Sequence, residues 1–166
     1  LTDTKIEILA PKIAKLCRCD VVIIKPLRYN QLQSELGNLN HLLAWGHARA
    51  LENLLQKGNS KRAISDQFGD ESYINNALMS KGKKIKLEQR TKAERDIAVA
   101  AASIIARYHF IKSLREISSG YKMSFPKGAS QEVINTAQKF VNTNGFDKLS
   151  RVAKTHFKTT EKIKKS

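Results

Sequence analysis

The chain has 166 residues, 41% hydrophobic and 27% charged, a composition typical of one soluble globular domain rather than a disordered segment. Its 30 Lys and Arg outnumber its 15 Asp and Glu, and a net charge of +15 favours a polyanionic partner, above all nucleic acid. No apolar run has the length of a membrane span and no signal peptide is evident, so we predict no membrane partner. The two cysteines, Cys17 and Cys19, are too few for a zinc site and are interpreted as reduced thiols, which predicts a cytoplasmic protein.

The first part of the chain predicts a helix followed by a strand. Apolar residues recur at helical spacing over residues 4–18, which predicts a helix that Pro11 should kink or shift in its start. The β-branched run at residues 21–24, ended by Pro26, predicts a buried strand. A helix that leads into a strand is typical of a layered α/β fold.

The middle of the chain repeats this alternation. Asn38 is placed to cap a second helix that ends before Gly58. The apolar run that ends at Asp66 predicts a second strand, and a helix is expected over residues 71–80. Apolar and charged residues then alternate over residues 84–88, which predicts a third strand.

The last part of the chain is predicted to be helical. A long Ala-containing helix carries one apolar stripe, formed by Ile97, Ala101, Ile104, Tyr108, Ile111 and Leu114. After a glycine-bounded loop at residues 120–128, apolar spacing near residues 133–141 predicts another helix, and residues 146–157 hold a short one. The basic tail from residue 158 is expected to fray.

These elements predict an α/β fold that is incomplete. Three strands must be covered by at least four helices, and so small a sheet does not cover that many apolar helix faces. We therefore interpret residues 1–157 as part of a domain, namely the C-terminal part of a sheet with its flanking helices, and residues 158–166 as a basic tail.

Acidic side chains occur where a strand ends and where a helix begins. Asp66 closes its strand, and Glu94 and Asp96 stand before the Ala-rich helix. Carboxylate oxygens are the ligands that hard divalent cations prefer, so these positions are candidate metal ligands. An Asp that merely ends a strand, and acids that stabilise a helix N-terminus through its dipole, are the structural alternatives.

Several sequence blocks, in this order, resemble the type 2 ribonuclease H family and specifically ribonuclease HIII. They are Asn-Leu-Asn-His-Leu-Leu-Ala-Trp-Gly-His-Ala at residues 38–48, Ile-Ser-Asp-Gln-Phe at 64–68, Thr-Lys-Ala-Glu at 91–94, Phe-Pro-Lys-Gly-Ala-Ser at 125–130 and Ala-Lys-Thr-His-Phe at 153–157. The block at 125–130 resembles subtype HIII more than subtype HII. The resemblance implies a ribonuclease H-like fold and cleavage of the RNA strand of RNA–DNA hybrids. It also implies two metal ions, Mg²⁺ or Mn²⁺, held by four carboxylates.

The resemblance assigns metal-binding roles to two acids of this chain. Asp66 matches the third acid of the family, and Glu94 matches the fourth. The segment after Glu94 is one residue shorter than the common pattern, which leaves Asp96 as the competing ligand. Residues two apart on a helix point to different faces, so both are not expected to bind metal at once.

The first two acids of the family, an Asp-Glu pair on its first strand, have no counterpart here. Half of the metal ligands are therefore absent from this chain. We predict an N-terminally truncated ribonuclease HIII, or one that needs a missing segment of the same protein, with little activity alone. The alternative is a non-catalytic basic module that binds nucleic acid.

The resemblance also indicates substrate-binding residues. Asn40 and His47 are seven residues apart and share a helix face that could meet phosphates or 2′-hydroxyls, the alternative being a helix cap and a surface histidine. Lys127 and Ser130 precede a helix whose N-terminus suits a phosphate, unless Ser130 simply caps that helix.

Two further residues near the C-terminus are candidates for tracking the nucleic-acid backbone. Lys154 and His156 fall within the Ala-Lys-Thr-His-Phe block and stand next to the basic tail. Solvated surface charge is the alternative interpretation for both of them.

Overall fold

The computed structural model describes residues 1–163. Its helices and strands are α1 (Asp3–Leu16), α2 (Pro26–Leu36), α3 (Leu39–Gln56), β1 (Arg62–Asp66), α4 (Ser72–Ala77), β2 (Lys86–Arg90), α5 (Ile97–Tyr121) and α6 (Gln131–Asn144). The chain divides into two compact units. The first unit holds Leu1–Ile23 and Leu36–His109, and the second unit holds Ile24–Glu35 and the chain from Phe110 onward.

The first unit contains a small parallel sheet, which confirms the predicted α/β class. β1 and β2 pair in a register that sets Arg62 beside Lys86 and Asp66 beside Arg90. Parallel strands need a crossover, and the segment containing α4 provides it. Side chains alternate between the two faces of a sheet, so Asp66 and Arg90 lie on the same face.

The strand predicted at residues 21–24 is absent. These residues adopt no regular structure, and Pro26 begins α2 instead. A strand requires a neighbour that accepts and donates its backbone hydrogen bonds, and β-branched residues alone do not supply one. α2 escaped prediction because its apolar stripe is short, with only Tyr29, Leu32 and Leu36 among polar residues, although a proline in the first helical position is favourable.

The other helices of the first unit follow the prediction with shifted ends. α1 begins at Asp3, capped by Thr2, and continues through Pro11. α3 begins at Leu39, as predicted, because the Asn38 side chain accepts a hydrogen bond of 2.8 Å from the Asn40 N–H.

α4 is shorter than the predicted helix because a buried carboxylate organises the chain beyond it. Glu52 is 5% exposed and accepts hydrogen bonds from the Ser80 hydroxyl at 2.9 Å and from the Lys81 and Gly82 N–H groups at 3.0 and 2.9 Å. Burial alone would raise the pKa of Glu52, but these hydrogen bonds hold it below the ordinary value. Residues 80–82 therefore form hydrogen bonds to Glu52 of α3 instead of continuing α4.

α5 is the longest helix, and its apolar stripe is less buried than predicted. Ile105 and Ile111 are buried, whereas Ile97 is 87% exposed. By length and composition alone α5 could cross a membrane, a property that core helices of soluble proteins share. The expectation that no membrane partner exists therefore stays a prediction.

The second unit has its own aromatic core. Phe140 is completely buried, and its ring packs edge-on against Tyr121 and Phe125 at centroid distances of 5.0 and 5.7 Å. Ile163 is 8% exposed and belongs to the same cluster. Residues Lys158–Lys162 form a 3-10 helix, so the prediction of a frayed tail is wrong up to Ile163. The rest of the predicted tail, residues 164–166, lies outside the described residues. The division of the chain at residue 157 stays a prediction.

Candidate metal and nucleic-acid site

The first unit brings Asp66 next to the turn that carries Glu94. Asp66 is the last residue of β1, and the chain leaving β2 forms a 3-10 helix at Ala93–Arg95. The buried Ala93 N–H donates a hydrogen bond of 3.0 Å to Asp66 Oδ1, and Glu94 is the next residue along the chain. Both acidic side chains are exposed to solvent. Two carboxylates from separate strand ends thus occupy one edge of the sheet.

Asp96 has a different role in the structure. Its Oδ1 accepts a hydrogen bond of 2.9 Å from the Ala98 N–H, and its backbone carbonyl accepts one from Ala100. Asp96 is therefore the N-cap of α5, which matches the structural alternative given for it. Glu94 and Asp96 lie on different elements rather than on one helix, and which of them binds a metal stays a prediction.

Asn40 and His47 both lie against the segment that follows β1. His47 Nδ1 is 3.3 Å from the Ser65 hydroxyl, and its ring centroid is 5.2 Å from that of Phe68. Asn40 is half-buried and lies against Gly69, so closely that a Cβ atom at residue 69 would be 3.3 Å from Asn40 Nδ2. The helix face predicted for these two residues therefore adjoins the Asp66 edge of the sheet.

His47 is exposed to solvent as a residue, although part of its ring is covered. This partial burial lowers its pKa below the ordinary value of 6.5, and the nearby Asp66 charge offsets this in part. The ring is placed to offer a hydrogen bond to a ligand at this edge.

The donors at this edge fit half of a divalent-cation site. Asp66 and Glu94 present exposed carboxylate oxygens, the donors that Mg²⁺ and Mn²⁺ prefer. Across residues 1–163, no group of three or more His, Cys, Asp or Glu side chains is arranged to hold a metal. Whether this chain carries only part of the ligand set stays a prediction.

Glu88 pairs with three cations of the sheet, of which Arg90 lies beside Asp66, and this cluster was not predicted from the sequence. Its carboxylate pairs with Arg62 Nε at 2.8 Å, with Lys86 Nζ at 3.5 Å and with the Arg90 guanidinium. Arg90 lies directly opposite Asp66 in the sheet, but its guanidinium pairs with Glu88. Hydrogen bonds from Arg90 outweigh partial burial and lower the pKa of Glu88 to about 2. The alternation of charges at residues 86, 88 and 90 was the available sequence signal.

Glu88→Gln is expected to reduce the loss of stability in acid. The Glu88 pKa is lowered on folding, so its stabilising effect is complete above its unfolded value of 4.5 and is lost as the pH falls toward about 2. Urea midpoints at pH 7 and pH 3 measure this. The midpoint of the wild-type chain should fall more between the two pH values than that of Glu88→Gln. Equal falls would contradict the role of this carboxylate.

In the second unit, the loop with Lys127 leads into α6. Ser130 is the N-cap of α6, and its Oγ accepts a hydrogen bond of 3.5 Å from the Val133 N–H. The capping alternative therefore holds for Ser130. Lys127 is exposed and precedes Gly128, whose φ of +92° places the backbone in a region that glycine adopts readily. Phosphate contact by these residues stays a prediction.

Lys154 and His156 are ordered around one buried ring of the second unit. Lys154 Nζ lies 4.3 Å from the centroid of Tyr29, and the His156 ring lies 5.6 Å from it. Partial burial lowers the pKa of Lys154 below its ordinary value. Both residues thus make specific contacts instead of extending freely into solvent. No signal in the sequence pointed to Tyr29 as their common support.

Comparison with known proteins gives a consistent assignment. The family model described as Ribonuclease HII matches residues 1–160. Ribonuclease HIII of Chlamydia pneumoniae is 43% identical over 165 residues, covering 98% of this chain and 55% of the relative. Ribonuclease HIII of Protochlamydia amoebophila is 40% identical over 163 residues, covering 98% and 54%.

Solved structures agree with these relatives. The crystal structure of Bst-RNase HIII in complex with Mn2+ matches with a TM-score of 0.89 at 28% identity, covering 98% of this chain and 55% of that one. Aquifex aeolicus RNase H3 matches with a TM-score of 0.72 at 27% identity, covering 92% and 54%. The chain therefore spans about half the length of the relatives it matches.

Proposed function

This chain belongs to the ribonuclease HII family, as its sequence blocks predicted, and on that premise we propose that it supplies half of the active site of a ribonuclease HIII. The proposed reaction is endonucleolytic hydrolysis of the RNA strand of RNA–DNA hybrids. The α/β fold agrees with that of ribonuclease HIII structures, so the predicted fold is confirmed.

The observation that carries the proposal is the hydrogen bond between the Ala93 N–H and Asp66 Oδ1. It ties the end of β1 to the turn bearing Glu94 and gathers two carboxylates that are far apart in sequence. Exposed carboxylates at the end of a strand are where a divalent cation can bind them.

Asp66 and Glu94 would hold the divalent metal, Mg²⁺ or Mn²⁺. When bound, such ions activate water and stabilise the leaving 3′ oxygen of a phosphodiester. Asp66 is fixed by Ala93 so that its carboxylate needs little reorganisation when it meets a cation. A relative crystallised in complex with Mn2+ supports a divalent metal for this chain as well.

The remaining residues would bind substrate. His47 and Asn40 adjoin the Asp66 edge and suit hydrogen bonds to 2′-hydroxyls or phosphates of the hybrid. The net charge of +15 supports attraction to the nucleic-acid backbone. We further propose a cytoplasmic location.

Cleavage in the presence and absence of a supplied segment tests this proposal. The chain is incubated with a labelled RNA–DNA hybrid and Mg²⁺ or Mn²⁺, alone and with an N-terminal segment of a ribonuclease HIII that carries an Asp-Glu pair. We expect metal-dependent cleavage of the RNA strand only with the segment. The same segment with Asn-Gln in place of Asp-Glu is the matched control, and it should give no cleavage.

The second candidate is a non-catalytic module that binds nucleic acid through charge. It is favoured by the lack of a metal-binding group of three or more side chains within residues 1–163. Binding of the hybrid without cleavage, even with the supplied segment, would support this module and contradict the nuclease proposal.

A further inference from the structure

Asn30 of α2 fixes the backbone of the segment that carries Lys154 and His156. Its Nδ2 donates to the carbonyl oxygens of Ser150 at 3.0 Å and Ala153 at 2.8 Å. Its Oδ1 accepts a hydrogen bond of 2.9 Å from the Thr155 N–H. One side chain thus satisfies three backbone groups that are more than a hundred residues away in sequence. A short segment without a regular hydrogen-bond pattern gains a defined shape from such contacts.

The neighbouring Tyr29 forms the support for the same two side chains. Tyr29 is only 4% exposed, and Lys154 Nζ and the His156 ring lie 4.3 and 5.6 Å from the centroid of its ring. A second ring, that of Phe157, lies 4.0 Å from His156. Aromatic contacts of this kind restrict side-chain rotamers and attract the ammonium group.

The Tyr29 hydroxyl is the one buried side-chain polar atom without a hydrogen-bond partner in the part of the chain that the structure describes. An unpaired buried hydroxyl costs stability. The hydroxyl does not account for this tyrosine, and the contacts that its ring makes are with Lys154 and His156.

We propose that Tyr29 and Asn30 are positioning residues that hold Lys154 and His156 as a preorganised binding site for one phosphate group of a nucleic-acid backbone. This inference rests on the proposed function, because the hybrid provides the phosphates. The Lys154 ammonium and the His156 imidazole, held against the same ring, suit a phosphate oxygen, because an ammonium group forms a charge-assisted hydrogen bond with it. Preordering both side chains lowers the entropy lost on binding.

Asn30→Ala tests the inference because it leaves the net charge of the chain unchanged while removing the hydrogen bonds that hold the segment with Lys154 and His156. Binding of a fluorescent RNA–DNA hybrid is followed by anisotropy without metal, at several salt concentrations. We expect the affinity to fall about threefold to tenfold. The slope of log K against log salt should become smaller by about one, although no charge has been removed. Lys154→Ala should reduce the slope by a similar amount, and the double variant should lose no more than Lys154→Ala does.

Asn144→Ala is the matched control in the same unit. It removes the hydrogen bond of 3.2 Å from Asn144 Nδ2 to the Phe140 carbonyl and should leave the salt slope unchanged. If Asn30→Ala loses its native circular dichroism, Tyr29→Leu replaces it, because leucine keeps an apolar group while removing the aromatic support. A natively folded variant that retains the wild-type slope would overturn the inference, as would a further loss of slope in the double variant.

The outcomes separate this inference from the nuclease proposal. Binding is measured without metal, so a chain that never cleaves RNA still reports on the phosphate site. If the wild-type chain binds the hybrid and the positioning variants lose slope while cleavage fails in every assay, only the nuclease proposal fails. If the wild-type chain shows no salt-dependent binding, the phosphate site is refuted.

Discussion

Asp66→Asn is expected to reduce RNA-strand cleavage on the order of 100-fold or more in the mixture of chain and supplied segment, because a divalent cation loses an anionic ligand. Asparagine has nearly the same shape, and its Oδ1 can still accept the hydrogen bond from the Ala93 N–H. The change therefore removes charge while preserving the tie between β1 and the turn. Initial rates at saturating hybrid and a series of Mn²⁺ concentrations measure the effect.

Asp96→Asn is the matched control for the same charge change. Asp96 caps α5 through the Ala98 N–H, and asparagine is an equally good N-cap, so activity should remain close to that of the wild-type chain. Loss of activity in Asp96→Asn with retention in Asp66→Asn would show that the metal is held elsewhere. Glu94→Gln should reduce RNA-strand cleavage as Asp66→Asn does, because Glu94 is the second proposed ligand.

Phe140→Ala is expected to lower the free energy of unfolding by about 3–5 kcal/mol, the usual cost of deleting a fully buried phenyl group. Phe140 is 0% exposed, and its ring contacts Tyr121 and Phe125, so the loss includes both apolar burial and edge-on aromatic contacts. Urea titration followed by far-ultraviolet circular dichroism measures it.

Leu16→Ala provides the comparison for Phe140→Ala. Leu16 is 87% exposed at the end of α1, and its removal should change the free energy of unfolding by less than about 0.5 kcal/mol. A change below about 1 kcal/mol for Phe140→Ala would mean that the second unit does not depend on this aromatic cluster.

The acids of the candidate site illustrate how far the sequence reaches. Asp66 and Glu94 were predicted from their places in recognisable blocks, because hard-cation ligands leave a pattern of acid type and spacing. The sequence leaves the choice between Glu94 and Asp96 open. We propose Glu94 because it belongs to the 3-10 helix beside Asp66, whereas Asp96 caps α5. The hydrogen bond that ties this turn to Asp66 joins residues 27 positions apart, which local sequence does not encode.

Helices with a clear apolar stripe or cap were predictable because their determinants are local. Asn38 marks the start of α3 in the sequence just as it does in the structure. The run at residues 21–24 was misassigned because strand formation requires a partner that local sequence does not encode. α4 ended early because Glu52 captures the backbone of residues 81 and 82.

The sequence by itself determined the family of this protein, its strongly basic character and its α/β class, and it supplied the carboxylates that we propose as metal ligands. These properties depend on residue type and short-range order, which the chain carries without folding. Only the tertiary structure decided that Glu88 engages Arg62 of the neighbouring strand and that Tyr29 and Asn30 order Lys154 and His156. Those contacts join residues from 26 to more than 120 positions apart, and packing alone selects such partners.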